Sequence, residues 1–266
     1  MSNPTTWTHI TPRNIKNRIL RLPAGALRRS SPSRHPMEKH NMDLQPNDLA
    51  NLCDSDEVTL RTLGEFQQTD HAGAGFTLLN RGGKVLGIAH IDVHPSIASY
   101  HQPMKFDGTK FWHPRLDDRI GLHALLHLLP ALEIEVDLML TENEEIGKST
   151  GGSEEAILAA SKYNWMFMMD RRGVDCANYG YDEGTAEWSD ALDSHGWDRT
   201  HGSSSCISKM TRANVKAVNF GVGYTEEHTL ECSADAQVFA KQCMRVANFV
   251  REFQFHHFLH MTPNYN

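Results

Sequence analysis

Three short apolar segments constrain the fold of this chain more than any other feature. They are K-V-L-G-I-A-H-I-D (84–92), E-I-E-V-D-L-M-L-T (133–141) and W-M-F-M-M-D (165–170). Each has the length of a buried strand and ends in polar residues, and the 3.6-residue apolar period of helices occupies 117–132 and 153–160. Buried strands that alternate with helices predict an α/β fold, in which helices cover both faces of a mostly parallel, mixed central sheet.

Weaker patterns predict further strands at 57–63, 76–80 and 215–224, and a long terminal helix at 233–253. A chain of 266 residues is long enough to bury a core without disulfides. Its five cysteines are scattered and form no C-x-x-C pair. They are typical of thiols in a reducing compartment, and they favour a cytoplasmic location.

The charge of the chain is unevenly distributed. Eight of its 26 Lys and Arg residues lie within the first 40 positions, and the stretch R-R-S-S-P-S-R-H-P (28–36) fits no regular element. Residues 1–42 are therefore expected to be a flexible basic leader, either disordered or translated from a start upstream of the true one; an organellar transit peptide is the alternative. Residues 43–266 are expected to form a single catalytic domain. This acidic body argues against a nucleic-acid groove, and the composition excludes a membrane span.

Polar residues that can bind a metal or accept a proton follow the proposed strands. They are His90, Asp92, Asp117, Glu144, Glu145, Asp170 and His228. Because ligands of open α/β sheets bind beyond the carboxyl ends of the strands, these side chains should converge. Histidine and carboxylate ligands suit zinc, and also cobalt or manganese. The set is too large for one tetrahedral ion but fits two ions that share a carboxylate, where a bridging water can lose a proton near neutral pH.

Two details of spacing add to this interpretation. His90 and Asp92 are two residues apart on a strand and point to the same face, so Asp92 can orient the imidazole ring. The doublet Glu144-Glu145 supplies one ligand and one free carboxylate that can accept the proton of the activated water.

Five motifs occur in the order typical of a known family. They are A-H-I-D-V-H (89–94), R-L-D-D-R-I-G (115–121), T-E-N-E-E-I-G (141–147), M-M-D (168–170) and E-E-H-T-L-E (226–231). With these motifs the sequence resembles the co-catalytic di-zinc exopeptidases, which include leucyl, glutamyl and aspartyl aminopeptidases and the aminoacylase and carboxypeptidase relatives. The resemblance implies the three-layer zinc exopeptidase fold.

The resemblance also implies a role for each residue of the set. His90 and Asp170 would hold one ion, Glu145 and His228 the other, and Asp117 would bridge both. Glu144 would be the general base, and Asp92 the partner of His90. A cis peptide bond between Asp117 and Asp118 is implied as well.

The spacing of the motifs departs from that of the two-domain relatives. Only 27 positions separate His90 from Asp117, and 58 separate Asp170 from His228. Neither gap holds a separate domain of ordinary size. The chain is therefore expected to be the bare catalytic domain, without an inserted lid or dimerisation domain.

The sequence predicts a metal-dependent hydrolase of amide or peptide bonds. The first hypothesis is an aminopeptidase that uses two zinc ions. A deacylase of N-acyl amino acids or small amides is the alternative within the same chemistry, and a catalytically inactive binding module is the alternative in another class. The deacylase would need a guanidinium for the substrate carboxylate. The candidates are Arg115, Arg119, Arg171 and Arg172. The expected partner is a peptide or small amide substrate. Neither a nucleic acid nor a membrane is expected as a partner, and the chain could form an oligomer.

Several histidines outside the set have simpler interpretations. His123 and His127 lack the glutamate of H-E-x-x-H and are interpreted as helix packing or surface residues. His94, His101 and His113 belong to a segment expected at the rim of the centre. They are interpreted mainly as loop residues, one of which could bind substrate.

Overall fold

The computed structural model describes residues 8–9, 42–69, 73–181 and 186–260. Apart from Thr8–His9, the predicted leader up to residue 41 lies outside the described residues. The strands are β1 (Thr8–His9), β2 (Glu65–Gln68), β3 (Gly75–Leu79), β4 (Leu86–His90), β5 (Lys105–Phe106), β6 (Lys110–Trp112), β7 (Asp137–Thr141), β8 (Met166–Met168), β9 (Cys176–Ala177), β10 (Arg199–Thr200), β11 (Ala217–Phe220), β12 (Tyr224–Thr225) and β13 (Ser233–Asp235). The α-helices are α1 (Pro46–Asp54), α2 (Glu57–Arg61), α3 (Leu116–His123), α4 (Leu129–Ala131), α5 (Glu154–Ala160), α6 (Ala186–Ser194) and α7 (Ala236–Phe253).

The central sheet has eight strands in the order β10-β9-β11-β8-β4-β7-β3-β2. Its middle strands β11, β8, β4 and β7 are mutually parallel, whereas β3 and β2 add to one edge in antiparallel orientation. This mixed, mostly parallel sheet confirms the predicted fold class. The carboxyl ends of the four middle strands lie at one edge, where the polar residues of the motifs follow.

Side chains of the central strands alternate between two apolar cores, because successive residues of a strand point to opposite faces. Leu86 and Ile88 of β4 pack in the core on the α5 side. Ala89 packs in the larger core on the other side, to which α1, α3, α6 and α7 contribute. Helices therefore cover both faces of the sheet, as the fold prediction requires.

A second, five-stranded sheet was not predicted, and it places two segments of the motifs side by side. Its strand order is β1-β5-β6-β13-β12. Strand β6 precedes Asp117 in the chain, and the β12–β13 hairpin encloses His228. The antiparallel pairing of β13 with β6 sets Ser233 opposite Trp112. It thereby brings the two segments together at the edge of the central sheet.

The predicted strand at 57–63 is wrong, because the structure has helix α2 there. The side chain of Asp56 caps this helix by accepting a hydrogen bond from the Thr59 amide at 2.7 Å. The apolar alternation of Val58 and Leu60 resembles a strand, but Val58 is 66% exposed. A local side-chain cap therefore outweighs a weak two-residue period.

Two other bounds differ from those predicted. The strand predicted at 215–224 is β11, then an irregular segment that leads to β12, and the helix predicted at 233–253 begins at Ala236 after strand β13. The side chain of Asp235 caps α7 by accepting from the amides of Gln237 and Val238.

All five cysteines are buried and free. Among the described helices, none combines the length and the apolar character that a membrane crossing requires.

Candidate metal centre

The residues that the sequence singled out converge at the carboxyl edge of the central sheet. His90 is the last residue of β4, and Asp170 follows β8 by two positions. Glu144 and Glu145 lie in the turn after β7, and Asp117 lies in the first turn of α3. His228 extends from the loop between β12 and β13. Three of the four parallel strands, the start of α3 and the small sheet therefore each contribute a segment to one site.

Asp117 lies between the two histidines. Its Oδ1 is 3.1 Å from Nε2 of His90, and its Oδ2 is 3.0 Å from Nε2 of His228. Nε2 of His228 is also 2.9 Å from Oε2 of Glu145. Each carboxylate oxygen of Asp117 thus faces a different histidine, which is the arrangement that a bridging ligand requires.

His90, Asp117, His228 and Glu145 form a row of potential ligands. The charges of its members influence one another strongly. Burial favours the neutral acid at Asp117, but hydrogen bonds from His228 and His90 outweigh it and lower the pKa of the carboxyl. Conversely, hydrogen bonds to Asp117 and Glu145 raise the pKa of His228 to about 10. The two carboxylates of Asp117 and Glu145 thus favour the charged form of His228.

Asp92 links His90 to the glutamate doublet. Its Oδ1 is 3.4 Å from Nδ1 of His90. The same oxygen accepts a hydrogen bond from the Glu144 amide at 3.2 Å, and Oδ2 accepts one from the Glu145 amide at 3.0 Å. Asp92 therefore fixes both the imidazole ring and the backbone of the turn after β7.

Asp170 is held by two residues that the sequence analysis missed. Asn219 of β11 accepts from the Asp170 amide at 2.9 Å and donates to its carbonyl at 2.7 Å. The hydroxyl of Tyr224 donates to Oδ1 of Asp170 at 3.0 Å. Asn219 pairs with Met168 across the parallel register of β11 and β8. Only the pairing of the strands reveals this contact, since Asn219 and Asp170 are 49 positions apart in the chain.

The peptide bond between Asp117 and Asp118 is cis, as the resemblance implied. Asp118 is fully buried, and its Oδ2 accepts from the amide of His90 at 3.2 Å. Its second oxygen is buried and has no hydrogen-bond partner in the described part of the chain. Asp118 therefore supports the backbone of His90 from behind the row of ligands.

Glu144 is half-buried beside the centre, and its carboxylate accepts no hydrogen bond from the described residues. Burial raises the pKa of its carboxyl, and although the charge of His90 opposes the shift, the charges of Glu145 and Asp117 reinforce it. A carboxylate with a raised pKa that is not engaged in an ion pair is suited to exchange a proton. Its neighbour Glu142 is instead engaged, in a bidentate ion pair with Arg61.

The donor set fits divalent cations. Two overlapping groups of potential ligands contain His90, one with Asp117 and Glu145 and one with Asp118 and Asp170. Oε1 of Glu145 is buried without a hydrogen-bond partner among the described residues. Burial and the charges of Asp117 and Asp118 raise the pKa of Asp170. This excess of buried acceptors is the pattern that a metal cation would satisfy.

The remaining histidines separate into packing and rim residues. His123 is fully buried in α3, and its Nε2 donates to the carbonyl of Leu44 at 2.8 Å, in agreement with a packing role. His101 contacts Arg115, and His113 is buried behind the rim. His94 is the exception, since its ring stacks on that of His228 with the centroids 4.1 Å apart.

All four arginines that were candidates for substrate binding contact protein groups. Arg115 donates to the carbonyl of Ala98, and the fully buried Arg119 donates to that of Ile91. Arg171 forms a bidentate pair with Asp175. Arg172 pairs with Glu227 at 3.0 Å. Arg119 therefore acts as an internal clamp on the segment after β4 rather than as a surface cation.

Comparison with solved structures identifies the fold. An aminopeptidase PepT from Bacillus cereus is similar over 79% of this chain and 99% of its own, with 12% identity and a TM-score of 0.53. A tripeptidase from Staphylococcus aureus matches 79% of this chain and 98% of its own, with 10% identity and a TM-score of 0.52. A TET aminopeptidase from a Thaumarchaeota archaeon matches 79% of this chain and 95% of its own, with 9% identity and a TM-score of 0.52.

No family model matches the chain. No curated protein matches it in sequence either. The structural likenesses nevertheless show that the chain has the α/β fold of these peptidases. They confirm the resemblance to the zinc exopeptidases at the level of the fold, and the activity is argued from the site.

Proposed function

We propose that this protein is a metal-dependent aminopeptidase that uses two divalent cations, foremost zinc. The observation that carries the proposal is the position of Asp117, whose two oxygens face His90 and His228 at 3.1 and 3.0 Å. His90 and Asp170 would hold one ion, and Glu145 and His228 the other. Bound in this way, the ions would polarise the scissile carbonyl and lower the pKa of the attacking water.

The protein's own groups would carry the proton transfer. Glu144 lies beside this row without an ion-pair partner, and its raised pKa brings it nearer to the working pH of a general base. It would take a proton from the attacking water and pass it to the leaving amine. Asp92 would keep the His90 ring and the turn that carries Glu144 in place through its bonds to both.

The carboxylates of the centre would make its surroundings negatively charged. A negative environment favours a substrate with a free, positively charged α-amino group. The deacylase alternative requires a cation for the substrate carboxylate. All four arginines considered for that purpose bind backbone carbonyls or acidic side chains of the protein itself. The arrangement therefore favours the aminopeptidase over the deacylase.

A direct test combines metal content with hydrolysis of two substrate series, amino-acid arylamides and N-acetyl amino acids. The wild-type chain should hold about two ions and release arylamine. Glu144→Gln should keep both ions while kcat falls by about 100-fold or more, because general acid–base catalysis contributes about that factor. His228→Ala should hold less metal.

Glu135→Gln is the matched control, since Glu135 is exposed just before β7 and should leave activity and metal content unchanged. Release from the N-acetyl series alone would assign the deacylase instead. If the wild-type chain bound no metal and hydrolysed neither series, the inactive binding module would be the correct alternative.

A further inference from the structure

Tyr224 connects the two ends of the metal centre, although it is not among the residues that the sequence motifs imply. It lies in β12, just before the loop that carries His228, and it pairs with Ala234 of β13. Its side chain is buried, and its hydroxyl is 3.0 Å from Oδ1 of Asp170 at the other end of the centre. One hairpin therefore supplies a potential ligand to one end and a hydrogen bond to the other.

The backbone on both sides of Tyr224 is held in place. The amide of Val222 donates to the carbonyl of Arg171 at 2.9 Å, which ties the approach to β12 to the segment after β8. Gly223 follows with a φ of 83°, a conformation that glycine adopts without strain. Beyond it, the pairing with β13 fixes Tyr224 itself. The phenol ring therefore reaches Asp170 from a supported frame.

The hydrogen bond gives the two oxygens of Asp170 different surroundings. An ionised carboxylate only accepts hydrogen bonds, so the Tyr224 hydroxyl donates to Oδ1. The other oxygen, Oδ2, is 3.8 Å from Nε2 of His90. Oδ1 is thus engaged with the protein, while Oδ2 faces the potential ligands of the His90 end.

The main chain and the carboxylate of Asp170 have separate supports. Asn219 accepts from the Asp170 amide and donates to its carbonyl, but these two bonds do not fix the side-chain torsions. Tyr224 supplies a hydrogen bond to the carboxylate itself. The Asp170 side chain is only 8% exposed, so an oxygen that lost this donor would turn to the nearest cation.

We propose that the Tyr224 hydroxyl restricts Asp170 to binding its ion through Oδ2 alone, and thereby keeps a coordination position of that ion open for the substrate. Tyr224 is a positioning residue, since it acts through Asp170. The inference rests on the proposed function, because it presupposes that the centre binds metal. A catalytic zinc site needs such an open position, which a carboxylate that binds through both oxygens would fill.

The test is a titration of the metal-free full-length chain with Co²⁺, followed by the visible absorption of the bound cobalt. Tyr224→Phe keeps the ring but has no hydroxyl. We expect it to weaken one of the two cobalt dissociation constants by about tenfold, since the loss of a group that orients a ligand costs about that factor. The absorption of that ion should fall, because cobalt absorbs less strongly as its coordination number rises. The second constant should not change.

Tyr163→Phe is the matched control. The hydroxyl of Tyr163 also donates to a buried carboxylate, Oδ2 of Asp137, at 2.8 Å. Asp137 is the first residue of β7, at the opposite end of that strand from the centre. Both constants and the spectrum of this variant should equal those of the wild type, even where it loses as much unfolding free energy as Tyr224→Phe.

The His228→Ala background shows which ion responds. This variant keeps His90, Asp117 and Asp170, and it should bind a single cobalt ion at their end. Adding Tyr224→Phe should weaken that remaining constant by the same factor. An unchanged constant in the double variant would overturn the inference, because Tyr224 would then act only through the hairpin that carries His228.

Wild-type constants and an unchanged spectrum in Tyr224→Phe would also overturn the inference, as would an equal defect in Tyr163→Phe. Failure of the proposed function shows differently, in a wild-type chain that binds one cobalt ion and hydrolyses neither substrate series. Weakening of that ion in Tyr224→Phe would then still support the positioning role. A wild-type chain that binds no cobalt would overturn both proposals.

Discussion

His113 is a buried histidine whose two ring nitrogens are both used in the neutral form. Nε2 donates to the carbonyl of Gln102 at 2.9 Å, and Nδ1 accepts from the Arg115 amide at 3.0 Å. Burial and the positive charges of Arg115 and Arg119 together lower the pKa of His113 to about 4, although the hydrogen bond to Gln102 opposes the shift. Protonation of Nδ1 would set two donors against each other, so the fold favours the neutral ring.

This shift makes the stability of the protein depend on pH in a defined window. The unfolded chain binds a proton at His113 near pH 6.5, but the folded chain does so only near pH 4. The contribution is therefore complete above pH 6.5 and is lost as the pH falls towards 4, by about 3 kcal/mol in total. Asp54, whose carboxylate lies 3.9 Å from Nε2, and the neighbouring His101 are the other titratable groups that face the ring.

His113→Gln retains a donor and an acceptor but does not titrate. We expect the loss of unfolding free energy between pH 7 and pH 5 to be smaller in this variant than in the wild type by about 2 kcal/mol. Urea unfolding at the two pH values measures it. His257→Gln is the control, since His257 is exposed and lies in a different segment of the chain. Equal losses in the wild type and His113→Gln would show that folding leaves the pKa of His113 unchanged.

At the scale of elements, the approach of α3 to the end of β8 depends on Gly121. A Cβ built on Gly121 would overlap both the Oδ1 of Asp118 and the carbonyl of Met169. Asp118 supports the His90 amide, and Met169 directly precedes Asp170. A methyl group at this position therefore pushes on two supports of the centre at once.

Gly121→Ala should lower the free energy of unfolding by about 1–3 kcal/mol, the usual cost of overpacking, and should weaken metal binding. Gly87→Ala is a matched control in the same core, because its Cβ would meet only the flexible end of Leu125. It should lower stability without weakening metal binding. Chemical denaturation and metal titration of both variants measure the two effects, and equal metal affinity in both would contradict the role of Gly121.

The sequence predicted those elements whose pattern is set by burial in the central sheet. The apolar runs that end at His90 and Thr141 are strands because both of their faces pack against helices. The short segments at 57–61 and 233–235 were missed, since their conformation depends on a capping aspartate and on pairing with β6. Neither effect leaves a periodic apolar signal.

The same difference applies to the candidate centre. Its main residues were found because each follows a strand or begins a helix within a recognisable motif. Asn219 and Tyr224 were not, since their bonds to Asp170 depend on how β11 lies beside β8. His94 was interpreted as a rim residue because its stack on His228 requires two loops that are distant in sequence.

At the scale of the whole molecule, the centre connects segments that are far apart in the sequence. The loops after β4, β7 and β8, the start of α3 and the β12–β13 hairpin all supply side chains to it. Five carboxylates with buried side chains lie within this small region. They are Asp92, Asp117, Asp118, Glu145 and Asp170. Without metal ions, protons, the two histidines and the buried Arg119 must offset their mutual repulsion.

Removal of metal should therefore destabilise the entire fold and not only the site. An ion that binds the folded chain alone adds about 2.7 kcal/mol at a concentration 100 times its Kd. Because about 1 kcal/mol shifts the Tm of a chain of this size by roughly 2–4 °C, chelation should lower the Tm by at least roughly 5 °C. Differential scanning fluorimetry with and without a chelator measures the shift.

The variants separate this linkage from a direct effect of the chelator. His228→Ala should start from a lower Tm and lose less on chelation, since it holds less metal, whereas Glu144→Gln should lose as much as the wild type. Restoring Zn²⁺ should restore the Tm of the wild type. A Tm that does not respond to chelation in a chain that still binds zinc would mean that the preformed row around Asp117 is held by the protein alone. The metal would then serve only the reaction.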